Sequence, residues 1–344
     1  RTMPTNVTPE YKKAEEAFRR AREPRERLDC LKEMLRTIPK HKGTEHLQAD
    51  IKSRIKQLTE ELAGPKKGGR RSGPSYSVRP EGAAQIALIG PANSGKSSLH
   101  SRLTASHSQV GAWPFTTQLP VPGMLPYEDT HLQLVDLPPL AAEYPVPWYV
   151  TPLQSADAAL LVVDLAEPAC AEQLQFVLEW LAERKVFLTA RWPVPVEGLS
   201  ATAPGGSDDP FRLDLPTLLI ANKRDLDPDP GEVEALEELL EICLPAIATS
   251  CETGEGLDEI AGFLFRQVGI RRVYTKTPGK PPETDKPFTV RTGDTVLDVA
   301  RLVHKELAES LRFARIWGSE VFDGQQVGPE HEVADGDIVE LHMR

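Results

Sequence analysis

The sequence predicts an α/β chain. A phosphate-binding-loop domain with a mainly parallel sheet stands between an N-terminal helical hairpin and a small C-terminal α+β unit. Three observations predict this arrangement. Gly90-Pro91-Ala92-Asn93-Ser94-Gly95-Lys96-Ser97 has glycines five apart and then Lys-Ser, the spacing of a loop that cradles phosphates. From residue 84 to about 270, apolar strand-like runs alternate with helical patterns, as crossover units do. On either side of that span the periodicity changes, and the changes fall in stretches rich in Pro, Gly and charge.

Taken in order, Thr8 caps a short helix from Pro9 to about Ala21. Pro24 opens a second, with Leu28, Leu31, Leu35 and Ile38 on one face, stopped by Pro39. Thr44 caps a third, where Leu47, Ile51, Ile55, Leu58 and Leu62 recur until Gly64. The last two form a helical hairpin within residues 1–63, their apolar stripes most simply packed on each other. Residues 64–82 are a basic linker that either lies on a phosphate backbone or tethers the hairpin with solubilising charge. The central domain, 83–270, takes strands at 84–89, 132–135, 158–164, 216–221 and 245–249, with helices near 96–104, 168–184, 232–243 and 256–268. Residues 192–214, rich in Pro, Gly, Ser and Asp, read as a long surface insertion. A second linker at 271–285 leads to a unit at 286–344. There Phe288 and Val290 alternate, and Val296, Val299, Leu302, Val303 and Leu307 form a helical stripe. Phe313 to Trp317 is strand-like, Asp323-Gly324 and Asp335-Gly336 are turns, and Ile338, Val339 and Leu341 close with a strand. About 60 residues suffice for a core of its own.

The 344 residues are 26% charged and 40% hydrophobic, the balance of a soluble globular protein. No run of about 18 apolar residues and no apolar leader is present, so neither membrane span nor secretion is expected. Cys30, Cys170, Cys243 and Cys251 are scattered, which fits a reducing cytoplasm rather than a disulfide frame or zinc site. The net charge is −11, yet residues 1–80 hold 20 Lys and Arg against 11 Asp and Glu, a local +9. A basic front on an acidic body fits either contact with a polyanion or merely solvated helix faces.

The loop carries the chemistry. The apolar run Ile86-Ala87-Leu88-Ile89 precedes it, and Ser98-Leu99 and Arg102-Leu103 follow at helical spacing. Glycine lets the backbone approach a polyphosphate so that several N–H groups point at the anion, and the new helix adds the positive end of its dipole. Lys96 would neutralise the outer phosphates and the Ser97 hydroxyl would bind Mg²⁺. Asp136, ending the run Leu132-Gln133-Leu134-Val135, would hold that ion directly or through water. Asn222-Lys223-Arg224-Asp225 follows the buried run Leu218 to Ala221. An ionised carboxylate only accepts hydrogen bonds, so Asp225 can take two N–H donors from a guanine edge, a pair adenine lacks. The Lys223 stem would lie along the base, and backbone N–H groups of Ser250-Cys251-Glu252 would meet its carbonyl.

With these segments the chain resembles the Obg–Drg group of translation-associated GTPases, within it the developmentally regulated GTP-binding (Drg) branch. The matching residues are Gly90 to Leu99, Trp113-Pro114-Phe115-Thr116-Thr117 on to Pro122-Gly123, Asp136-Leu137-Pro138, Asn222 to Asp225, and Ser250 with Gly254-Glu255-Gly256-Leu257. His41-Lys42-Gly43-Thr44-Glu45-His46 resembles the family's N-terminal helical region. Residues 286–343, with Ile316-Trp317-Gly318 and Asp335-Gly336-Asp337, are similar to a TGS domain, a β-grasp module. The resemblance implies a P-loop GTPase that binds GTP and GDP with Mg²⁺ and hydrolyses GTP slowly. It implies partners in ribosome or RNA biology, with room for a protein regulator and no expectation of DNA. Gly90, Asn93, Ser94, Gly95, Lys96, Ser97 and Ser98 would hold the phosphates, and Asn222, Lys223, Asp225, Ser250 and Cys251 the base. Family register favours Thr117 over Thr116 as the threonine that closes over Mg²⁺ and, with Lys96, serves catalysis. Asn93 matches the place of an asparagine that binds K⁺ in cation-stimulated GTPases; a polar residue fitting a tight turn is the simpler reading.

The pattern breaks at Pro139, where the family has glycine. That glycine gives an N–H to the third phosphate, whereas proline has none and a fixed φ. Leu140-Ala141-Ala142-Glu143 offers no glutamine to orient water. Slow or partner-dependent hydrolysis follows, and so does an alternative: a scaffold holding GTP or GDP as a structural ligand.

Overall fold

The computed structural model describes residues 8–21, 24–39, 44–62, 78–104, 119–141, 146, 148–197, 209–226, 231–240 and 242–343. The expectations for the linker stretch 64–77, for Trp113 to Thr117, for Glu143 and for 198–208 lie outside them.

Three helices come first: α1 (Pro9–Arg20), α2 (Pro24–Thr37) and α3 (Glu45–Leu62). Pro9 sits at the start of α1, where its missing N–H costs nothing, and the Thr8 hydroxyl accepts from the Tyr11 N–H at 3.2 Å. The hairpin is larger than the sequence suggested. Tyr11, Ala14 and Phe18 of α1 share one core with Leu31, Met34, Ile38 and Ile51, and Phe211, from the last part of the expected insertion, completes it. The hairpin's apolar stripes thus face a partner in the central domain as well as each other.

The central domain follows as β1 (Gln85–Ile89), α4 (Lys96–Thr104), β2 (Val121–Tyr127), β3 (Thr130–Asp136), α5 (Val150–Ser155), β4 (Ala158–Asp164), α6 (Cys170–Glu183), β5 (Val186–Thr189), β6 (Leu213–Asn222), α7 (Glu232–Leu240), β7 (Ala246–Ala248) and α8 (Leu257–Gln267). Strand order is β2-β3-β1-β4-β6-β5, with β7 also paired to β6. Every pairing is parallel except β2 with β3. β1 and β4 are buried at every position, as strands covered on both faces must be. One apolar layer, with Leu99, Leu103, Ile260, Leu264 and Phe265, covers one face. A second, with Leu137, Leu140, Tyr149, Leu153, Leu174 and Val177, covers the other.

The insertion expected at 192–214 is anchored at both described ends. Trp192 is buried and meets Phe263 edge-to-face at 5.2 Å, and β6 already begins at Leu213.

The expected linker 271–285 is instead strand. β8 (Ile270–Lys276) and β9 (Pro282–Arg291) pair antiparallel and open the C-terminal unit. It continues with α9 (Val296–Val303), α10 (Lys305–Ser310), β10 (Leu311–Trp317), β11 (Gln325–Val327) and β12 (Asp337–Met343), in the order β11-β10-β12-β8-β9. β12 runs parallel to β8 and the other pairs are antiparallel, with α9 laid across the sheet over Val273, Val290, Ile316 and Val339.

The two sheets meet through charge. Arg272 of β8 pairs with Asp129 at 3.0 Å, with Glu128, and with Asp335 at 2.7 Å. Tyr274 donates its hydroxyl to Asp129. Arg291 pairs with Asp157 at 3.2 Å.

Candidate functional site: a phosphate loop and a purine-edge carboxylate

The expected site residues lie at the C-terminal ends of parallel strands, where open α/β sheets place ligands. The loop leaves β1 at Gly90, Asp136 ends β3, Asn222 ends β6, and Ser250 follows β7. Topology alone therefore gathers segments more than a hundred residues apart.

The loop is closely built. Gly90 has φ 142°, and a Cβ there would lie 2.3 Å from the Val162 carbonyl oxygen. Gly95 has φ 92°, and a Cβ there would lie 2.1 Å from the Asn222 amide nitrogen. The same amide donates to the Ser94 carbonyl at 3.0 Å, so Asn222 clamps the phosphate loop. Asn93 is exposed at φ 61°, a left-handed conformation that asparagine tolerates. Ser94 is buried and donates to the Pro91 carbonyl at 3.1 Å. Ser98, half-buried, stands in the first turn of α4.

Lys96 is buried, and its ammonium donates to the carbonyls of Gly90 at 3.1 Å and Pro91 at 2.5 Å. Burial pushes its pKa down to about 8 against the opposing pull of Asp136. A buried cation resting on neutral carbonyls gains from an anion brought alongside. Ser97 Oγ donates to Asp136 Oδ2 at 2.6 Å. A hydroxyl and a carboxylate converging beside a buried ammonium are hard oxygen ligands of the kind Mg²⁺ takes. The residues present fit a magnesium-bound polyphosphate: Ser97 and Asp136 would hold the ion and Lys96 the phosphates.

On the base side, Asp225 is exposed and its Oδ1 accepts from the buried Ser250 hydroxyl at 2.5 Å. Ser250 in turn accepts the N–H groups of Glu252 at 3.2 Å and Thr253 at 3.1 Å, so one hydroxyl orients both the carboxylate and the following turn. The Cys251 thiol points to Asn222 Oδ1 at 3.5 Å, and burial pushes its pKa up to about 11. Lys223, at φ 66°, pairs with Asp164 at 2.5 Å.

Thr117 and Thr116 lie outside the described residues, so the structure brings every other expected site residue together and leaves the threonine unplaced. Three further residues belong to the site. Asp164 fixes Lys223, Thr249 donates to Asn222 Oδ1 at 3.3 Å, and Arg102 braces the carbonyls of Cys251 and Glu252, each at 2.7 Å. Asp164 was findable, since it ends an apolar run just as Asp136 does. Thr249 and Arg102 carry no sequence signal.

Comparison with known proteins agrees with this geometry. Residues 85–191 match the family described as 50S ribosome-binding GTPase, and residues 271–343 match the TGS domain. An uncharacterized GTP-binding protein of Methanocaldococcus jannaschii is 28% identical over 93% of each chain. GTP-binding protein 1 of Schizosaccharomyces pombe is 26% identical over 92% of this chain and 98% of its own. Developmentally-regulated G-protein 1 of Arabidopsis thaliana is 26% identical over 90% of this chain and 88% of its own.

Proposed function

We propose that this chain, which is similar over most of its length to developmentally regulated G-proteins and carries a match to the TGS domain at residues 271–343, is a magnesium-dependent GTP-binding protein of the cytoplasm. It hydrolyses GTP slowly and works beside the ribosome or another RNA through its N-terminal helices and TGS unit. The observation that supports this best is the convergence of Lys96, the Ser97–Asp136 pair and the Asp225–Ser250 pair on one end of the sheet.

Each residue has a task the geometry suits. Backbone N–H groups of the loop and Lys96 bind the phosphates. Ser97 and Asp136 hold Mg²⁺, which supplies charge neutralisation where the transferring phosphoryl group develops it. Asp225, oriented by Ser250, selects guanine over adenine. Thr117 is proposed to close over the metal, and K⁺ at Asn93 to stimulate turnover. Residues 137–141 carry no side chain able to orient water, so turnover by the isolated chain is slow.

A second reading is favoured by one feature. Pro139 is buried between Leu137 and Leu140, and the Leu140 N–H is already committed to the Gly90 carbonyl at 3.2 Å. A segment held this way suits a scaffold that keeps its nucleotide without switching. Competition of labelled GDP by GTP, GDP, ATP and a non-hydrolysable GTP analogue separates the readings. A switch distinguishes the analogue from GDP, a scaffold binds them alike, and competition by ATP removes both.

A further inference from the structure

A second basic site lies at the other end of the sheet. A cleft of about 520 Å³ opens beside the N-terminal ends of β4, β5 and β6, bounded by the helical hairpin on one side and by the end of β9 on the other. This volume falls within the range of small-ligand pockets. Seven Arg or Lys side chains line it against two aspartates, Asp157 and Asp214, in a chain whose net charge is −11.

Five of the seven cations are balanced. Arg19 pairs with Glu15 at 2.6 Å, Arg184 with Glu183 at 3.3 Å and Lys185 with Asp209 at 2.8 Å. Arg212 pairs with Asp214 at 2.7 Å and Arg291 with Asp157 at 3.2 Å. Arg27 and Arg54 form no ion pair among the described residues. Arg27 lies 4.7 Å over the Phe18 ring, donates once, to the Gln154 carbonyl at 2.8 Å, and keeps a buried Nε with no partner among the described residues. Arg54 lies 4.2 Å over the Phe211 ring. The two rings meet edge-to-face at 6.1 Å, so both guanidiniums are set on one aromatic platform. Burial and the like charge of Arg54 bring the Arg27 pKa down to about 10.

We propose that this cleft is a phosphate-binding site, separate from the nucleotide loop, in which Arg27 and Arg54 together take one phosphate group. Guanidinium edges match phosphate oxygens in a fork, and stacking on aromatic rings fixes their planes beforehand. A doubly charged group can meet both guanidiniums at once, which a single carboxylate does not. Arg54 already feels Asp209 and Asp50 without pairing to either, whereas no carboxylate among the described residues acts on Arg27. The phosphate belongs either to a phosphorylated small molecule that fills the cleft or to a backbone passing along it. The site stands whether or not the nucleotide reading holds.

The test is calorimetric titration of the full chain and of its Lys96→Ala variant with pyrophosphate and with a single-stranded RNA dodecamer at low salt. Binding of either ligand that survives Lys96→Ala, and is weakened about tenfold or more by Arg27→Gln and by Arg54→Gln, is the expected result. Pyrophosphate without RNA identifies the small-molecule source. RNA binding that falls steeply with salt identifies the backbone. Arg54 makes its described contact through a ring face, so Arg54→Gln leaves the hairpin's hydrogen bonds in place, and an unchanged circular dichroism spectrum verifies folding. Absence of binding to Lys96→Ala by both ligands, or binding that Arg54→Gln leaves unaltered, overturns the proposal.

Discussion

The backbone N–H of Leu140 donates to the carbonyl of Gly90 at 3.2 Å, tying the segment after Asp136 to the first residue of the phosphate loop. Leu137 and Leu140 are buried in the same apolar layer as Tyr149 and Leu161, with Pro138 and Pro139 between them. Drawing this segment toward a third phosphate would expose two leucines, at about 1.5–3 kcal/mol each. One new hydrogen bond to a charged oxygen returns about 1.5–3 kcal/mol. The burial outweighs the bond, and Pro139 has no N–H to offer. The scaffold reading therefore predicts that GDP and a non-hydrolysable GTP analogue bind within a few-fold of one another. Pro139→Gly restores a donor but leaves Leu137 and Leu140 to be exposed, so the ratio is expected to stay within a few-fold in equilibrium competition. A shift of about tenfold toward the analogue in the variant would show that the missing N–H, and not the buried leucines, sets nucleotide discrimination.

The Arg272 cluster ties the TGS sheet to the turn between β2 and β3, the hairpin whose far end is Asp136. Three carboxylates share one guanidinium at the surface, so its contribution is modest and screened. Arg272→Ala is expected to lower stability in urea by about 1 kcal/mol at low salt and by less at high salt. A loss that salt leaves unaltered would assign the contact to packing against Phe265, whose ring lies 5.1 Å from the guanidinium carbon.

Cys251 gives a pH-dependent readout of the base pocket. Burial holds its pKa at about 11, so the thiol form dominates below that value and the reactive thiolate is about one part in a thousand at pH 8. Iodoacetamide at pH 8 should modify the exposed Cys243 long before Cys251. The Cys251 rate should climb about tenfold per pH unit until about 11. GDP should slow it further, because its sulfur lies against Asn222. Peptide mapping after timed alkylation measures both, and equal labelling of the two at pH 8 would contradict the half-buried placement of Cys251.

The site was legible because its parts are local. A glycine spacing, a strand and a terminal acid are read within ten residues, and parallel topology then brings them together. What escaped reading has physical causes. β2 carries Pro122, Gly123 and Pro126 and reads as loop, but it stands at the sheet edge, where a missing N–H breaks no ladder. β9, with Pro282 and Pro287, is likewise an edge strand, so residues 271–285 read as linker. β5 has only four residues, too few for a pattern. The Arg27–Arg54 platform joins residues on separate helices with Phe211 of the central domain, a contact no window of sequence contains.

If Lys96 and Asp225 hold one guanine nucleotide, equilibrium titration of a fluorescent GDP analogue with Mg²⁺ reveals it. The expected result is saturable binding by the intact chain, displaced by GTP and not by ATP, and weakened about a hundredfold by Lys96→Ala and by Asp225→Ala. No binding by the intact, folded chain, or affinity that both substitutions leave unaltered, would contradict it.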